Sequence, residues 1–147
     1  MPDKTYNIRM HGIDIIEKHL FKISIQEADL FKFELKTQSI VNETESLIVT
    51  FVIVEIRKES TNELAAKILA GFGFFIKDIS SSLERGEDRK YIIPSEFENV
   101  LKTISISTMR GLMFSEFRGT PLHGAILPII RGDSLVPINE SIIELAK

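Results

Sequence analysis

The stretch Leu47-Ile48-Val49-Thr50-Phe51-Val52-Ile53-Val54-Glu55-Ile56-Arg57-Lys58 decides the fold. Val, Ile, Thr and Phe dominate it. Branched and aromatic side chains suit a pleated surface, so the stretch is expected to be a strand. Successive side chains of a strand point to opposite faces. Leu47, Val49, Phe51 and Ile53 form one row, and Ile48, Thr50, Val52, Val54 and Ile56 form the other. Both rows are apolar, so both faces need cover. Too few helical segments are present to cover both in a βαβ arrangement. A helix is therefore expected on one face, and a second subunit or a bound partner on the other.

Working outward, Phe31-Lys32-Phe33-Glu34-Leu35-Lys36-Thr37-Gln38 alternates apolar and polar residues, the pattern of a strand with one wet face. It predicts a strand over about 30–41. The polar turn Asn42–Ser46 joins it to the central strand, over about 47–58, as a hairpin. A second polar turn, Glu59–Glu63, leads into a strand over about 64–77. Gly71 and Gly73 lie on one face of it, and Phe72 and Phe74 on the other. Glycine inside a strand marks a bulge or a close backbone approach. The first strand is placed over about 13–27, with Phe21–Gln26 as its clearest part. Ile8–His19 fits either a helix face or a strand. The expected sheet is a four-stranded antiparallel meander.

Asp78–Lys90 is polar and is read as a mobile surface loop. The helix signal follows. Pro94 precedes Ser95-Glu96-Phe97-Glu98, which fits a capping box with Ser95 as cap and Glu98 answering it. Phe97, Val100, Leu101, Ile104, Thr108 and Leu112 make an apolar stripe, widened by Ile106, Met109, Met113 and Phe117. The helix is predicted over about 95–117, on one face of the sheet, ending at Gly119. An apolar irregular loop over 119–137 and a short terminal helix over 139–146 complete an α+β domain spanning 1–147.

At 147 residues one domain is the simplest reading, and the chain is long enough for a real core. A net charge of -3 argues against nucleic acid as the main partner. No cysteine is present, which excludes disulfides and thiolate chemistry. The start lacks the pattern of a signal peptide, and no apolar run is long enough to span a bilayer. A cytoplasmic protein without membrane insertion is expected.

His11, His19 and His123 have no partner at metal-ligand spacing. Gly71-Phe72-Gly73-Phe74-Phe75 lacks the third glycine of a dinucleotide loop and sits inside a strand. No nucleophile elbow or phosphate loop is present. Neither an enzyme nor a cofactor is expected. What remains is apolar surface. Phe51, Phe72, Phe74, Phe75, Met109, Met113 and Phe117, with the loop residues Leu122, Ile126 and Leu127, exceed the routine needs of one small sheet. They serve either as core plus a dimer interface or as a groove for extended apolar peptide, to which aromatic and Met side chains adapt.

With that order of elements the chain resembles the SecB family of export chaperones. Ser107-Thr108-Met109 sits in the long helix, and Arg118-Gly119-Thr120 followed by Pro121 closes it. Leu135-Val136-Pro137-Ile138-Asn139 is similar to the family's opening of its last helix, and Phe72-Gly73-Phe74-Phe75-Ile76 to its glycine-bearing fourth strand. The resemblance covers roughly 13–145. It implies a homotetramer, built as a dimer of dimers, that holds unfolded polypeptides or preproteins without ATP in apolar grooves. Family members dock a translocase motor ATPase through acids on the outer sheet face. The resemblance places Lys22, Gln26 and Ile68 at those positions, which speaks against docking. Some SecB-like proteins instead serve a single partner such as an antitoxin, so an oligomeric interaction module without translocase docking is the alternative.

Overall fold

The computed structural model describes residues 8–88, 90–128 and 136–137. Its body is an antiparallel sheet of β1 (Ile8–Leu20), β2 (Phe31–Asn42), β3 (Leu47–Lys58) and β4 (Leu64–Ile76). After β4 come a single turn, α1 (Ile79–Ser82), a small ribbon of β5 (Glu84–Arg85) and β6 (Tyr91–Ile92), and the long helix α2 (Ser95–Glu116). A short β7 (Val136–Pro137) closes the described chain. The expected terminal helix over 139–146 lies outside the described residues, as do 129–135 of the apolar loop.

Strand order is β1-β4-β3-β2-β7. β2, β3 and β4 form the expected hairpins, with β2 and β3 paired without interruption from Phe31 opposite Lys58 to Asn42 opposite Leu47. β1 closes on β4, and β7 adds a parallel pair at Lys36 and Thr37 of β2. β3 and β4 are therefore interior strands, which is why their side chains are apolar on both faces.

The first strand differs from expectation. It runs from Ile8 to Leu20, and Phe21–Gln26 lies outside the sheet. Its pairing with β4 slips between Met10 and Gly12 and again between Ile15 and Glu17. His11 and Ile16 are the extra residues, and each reverses the alternation of side chains. Those two bulges made the pattern over 8–19 fit no single period. The segment after Leu20 crosses the end of the sheet. Phe21 N donates to Ala65 O at 3.0 Å, and Lys58 Nζ reaches Ser24 O at 2.9 Å and Asp29 at 3.4 Å. Ile23 and Ile25 pack on the core from this crossing, so their alternation is that of an extended segment lying on the body.

α2 covers the face carrying Ile48, Thr50, Val52, Val54 and Ile56 of β3 and their neighbours Phe74, Phe72, Ala70, Ile68 and Ala66 of β4. Phe97, Leu101, Met109 and Met113 descend onto it. Ser105 is buried too, and its hydroxyl donates to Leu101 O at 2.7 Å, so its own polar atom is satisfied. The helix starts one residue earlier than a capping box requires. Pro94 is the cap, its carbonyl accepts from Glu98 N at 2.9 Å, and no side chain caps the end. Ser95 thus already has helical geometry. Glu96 and Glu98 still place negative charge where the helix dipole favours it. At the other end Gly119 takes φ +79°, a left-handed stop that suits glycine.

Residues 78–88 are less open than a surface loop. Ile79 and Leu83 are buried, and Arg85 bonds Glu43 of the β2–β3 turn at 2.8 Å and the Tyr91 hydroxyl at 3.0 Å. The Arg85 guanidinium is held above its ordinary pKa, first by the Tyr91 hydrogen bond and then by the Glu43 charge.

Candidate functional site

The sheet and helix sort the apolar residues into those that hold the fold and those left open. Phe72, Phe74, Met109, Met113, Phe117, Leu122 and Leu127 are buried together in one core. This corrects their reading as groove residues. Even positions of β4 point under α2, and the stretch after Gly119 folds back so that Leu122 and Leu127 plug the same core. Of the remaining candidates, Phe51 and Phe75 are half-buried on the opposite sheet face, and Ile126 is exposed. Phe51 lies over Gly71, where an added Cβ would sit 3.3 Å from its ring, so the glycine there does mark a close approach. Ile53 and Leu69 are buried beside it, with Ile16 packed against them.

The accessible apolar surface lies mainly elsewhere. On the helix-facing side of β1, Met10, Ile13, Ile15 and Leu20 remain exposed, Ile13 at 42% and Ile15 at 40%. β1 is the edge strand, so its outer backbone groups have no strand partner among the described residues. On α2, Val100 and Phe114 face outward. The bulges hid the β1 row from a search by period. The signal for Val100, Ser107 and Phe114 was their seven-residue spacing, which puts them on one helix face.

Two hollows flank the segment after α2. One, of about 310 Å³, is lined by Ser107, Arg110, Gly111, Phe114, Ala125 and Ile126. The other, of about 340 Å³, lies between Pro121, Gly124 and the crossing segment, with Glu27 and Asp29 in its wall. Phe114 is steadied by a tilted contact with the His123 ring, 5.6 Å between centroids.

Charges on the outer sheet face are mixed and locally paired. Glu17 lies 2.9 Å from His19 and 3.8 Å from Lys67, and Arg57 sits between Glu34 and Glu55 at 3.6 and 3.3 Å. The positions aligned by resemblance to the docking acids do not belong to that face. Lys22 and Gln26 lie in the crossing segment, and Ile68 is buried under α2. Among the described residues no group of three His, Cys, Asp or Glu side chains is placed to hold a metal ion, and no helix is long and apolar enough to cross a membrane.

No protein-family model and no curated protein matches the sequence. Solved structures do match by shape. Mycobacterium tuberculosis Rv1957, a SecB-like chaperone solved in complex with a ChAD peptide from the Rv1956 HigA1 antitoxin, aligns with 84% of this chain and 89% of that one at a TM-score of 0.59 and 11% identity. A protein of unknown function from Streptococcus agalactiae aligns with 87% of this chain and 98% of that one at a TM-score of 0.42 and 7% identity. The chain therefore has the SecB-like fold, in a sequence that has diverged far from the solved example.

Proposed function

We propose that this protein is a SecB-like chaperone that binds extended, unfolded polypeptide without nucleotide, as a cytoplasmic homo-oligomer. The observation that carries the reading is the open apolar surface of one protomer. The β1 row and the outward face of α2 expose large side chains that a lone protomer has no structural use for. The SecB-like fold supports the assignment, since the solved example holds a peptide.

The two surfaces suit different occupants. β1 combines an apolar row with a strand edge unpaired among the described residues, and a second β1 running antiparallel would satisfy both at once. We assign it to the contact between copies, the first step toward a dimer of dimers. The outward face of α2 and its adjoining loop then remain for client polypeptide. Apolar burial there contributes roughly 25 cal/mol per Å², without a sequence requirement.

Delivery to a translocase motor is not expected, because the outer face offers interleaved charges rather than an acidic patch. A narrower reading, service to one partner such as an antitoxin, is favoured by the peptide in the solved example. Breadth of binding separates the two. Light scattering after size exclusion, with and without several unrelated unfolded chains, is the test. A multimer that takes up all of them supports the general holdase. Uptake of one chain alone supports the dedicated chaperone, and refusal of every chain, an antitoxin included, overturns both.

A further inference from the structure

We propose that the hollow on the outward face of α2 is an anchoring pocket for an acidic residue flanked by apolar ones in the bound polypeptide. The inference rests on the chaperone reading and gives it a preference.

Gly111 lies in the interior of α2. Glycine in a helix interior is disfavoured by roughly 1 kcal/mol against alanine. Here it has ordinary helical geometry, and nothing lies within 4 Å of where a Cβ would stand. No neighbour requires the missing side chain. What the glycine leaves is the space of the pocket itself, about 310 Å³, comparable to the smaller ligand sites of proteins.

The walls define the occupant. Phe114 and Ile126 are apolar and more than half exposed, at 53% and 59%. Phe114 is held in place by His123 from the returning loop, so the wall is built from two elements. Arg110 stands on the same rim, half-buried and without an ion-pair partner among the described residues. Two neighbouring cations are matched, Lys18 to Glu116 at 2.8 Å and Lys102 to Glu98 at 3.4 Å, while other cations without an ion pair among the described residues, such as Lys32, Lys36 and Arg118, are exposed where Arg110 is half-buried. An unmatched guanidinium beside apolar walls suits a carboxylate, which it can grip with two parallel hydrogen bonds, and Ser107 adds a hydroxyl on the rim. One such cation in a chain of net charge -3 does not suit a nucleic acid backbone. A polypeptide segment with an acid between apolar side chains matches both halves of the site.

The test uses the full chain and short fluorescein-labelled peptides that alternate Leu and Ser and carry Asp, Asn or Lys at the centre. Anisotropy titrations should rank Asp above Asn above Lys, with about a tenfold spread at low salt that narrows as salt is added. Arg110→Glu should invert the order. Gly111→Leu fills the pocket without backbone strain. It should weaken all three peptides about tenfold while raising the Tm, so loss of binding cannot be loss of fold.

Equal affinities for the three peptides, or an order unchanged in Arg110→Glu, overturn the inference. So does a native mass that falls in Gly111→Leu without any peptide preference, since a second copy would then fill the pocket. If the peptides bind and neither variant changes that binding, the pocket inference fails and the chaperone reading stands. If neither peptides nor unfolded chains bind the wild type, both fail.

Discussion

β4 and β1 are neighbours in one sheet, carry similar apolar rows on the same face, and have opposite fates. Phe72 in β4 is wholly buried, while Ile13, its register partner in β1, is exposed. Strands lie about 4.8 Å apart, and a helix with its side chains is about 10 Å across. One helix covers about two strands. α2 and the returning loop cover β3 and β4, and among the described residues β1 receives little: Ile8 packs on the core and Lys18 reaches Glu116 of α2, while Met10, Ile13, Ile15 and Leu20 stay exposed. Hydrophobicity alone says that a row will be covered; the width of the covering element decides whether the same chain does it. On the proposed reading, that task in β1 passes to a second copy.

The largest break in this comparison comes from truncating the covered member. Phe72→Ala is expected to destabilise the protomer by about 3–5 kcal/mol, the range for deleting a buried aromatic ring. Denaturant unfolding measures it. A loss below about 1 kcal/mol would mean that Phe72 is not packed under α2 and that the groove assignment made from sequence was the better one.

A middle-sized effect tests how the cover is held. Gly119 takes φ +79° where α2 stops and the chain turns back to place Leu122 and Leu127. Gly119→Ala should cost about 1–2 kcal/mol through the left-handed backbone alone, because nothing lies within 4 Å of the added Cβ. An unchanged Tm would show that the turn re-forms without it.

The exposed member should respond differently. Ile13→Thr with Ile15→Thr keeps β-propensity and removes apolar area from β1. Protomer stability should change by about 1 kcal/mol or less. The native mass should fall, since the contact between copies loses its apolar row. A large loss of stability with an unchanged mass would show that β1 is covered within its own chain.

How much was legible follows the same division. β2, β3 and β4 could be read almost to the residue, because their period of two is broken only at Ala65, next to the start of β4, and their turns are polar. β1 could not, because His11 and Ile16 each insert a residue and no single period survives. The long helix was legible from its stripe, although its cap was assigned to Ser95 rather than Pro94. The candidate site was the least legible. An excess of Phe and Met marks burial, but it does not say under what. Phe72 and Phe74 differ from Phe51 and Phe75 only in which face they occupy, and that depends on where α2 lies. Pairing across the sheet was equally hidden: the link from Arg85 to Glu43 joins residues far apart in the chain.

That link carries the smallest effect. Arg85 bridges the β5–β6 ribbon to the β2–β3 turn by its bonds to Glu43 and Tyr91, and it stacks over the Tyr91 ring at 4.6 Å. The Tyr91 hydroxyl donates to the same carboxylate at 2.8 Å, closing a three-residue ring. The Arg85–Glu43 pair faces solvent, where such pairs hold geometry more than stability. Arg85→Gln should leave the Tm unchanged and speed amide exchange locally at Gly86, whose N–H bonds Lys90 O across the ribbon. Exchange in β3 and β4 should stay as slow as in the wild type, since the core beneath is built by Ile79, Leu83 and Phe97, and the ring adds to it only the half-buried Tyr91, which Arg85→Gln leaves in place. If exchange also rises in those strands, the ribbon is part of the cooperative core, and the covered region reaches further from α2 than the packing of one helix explains.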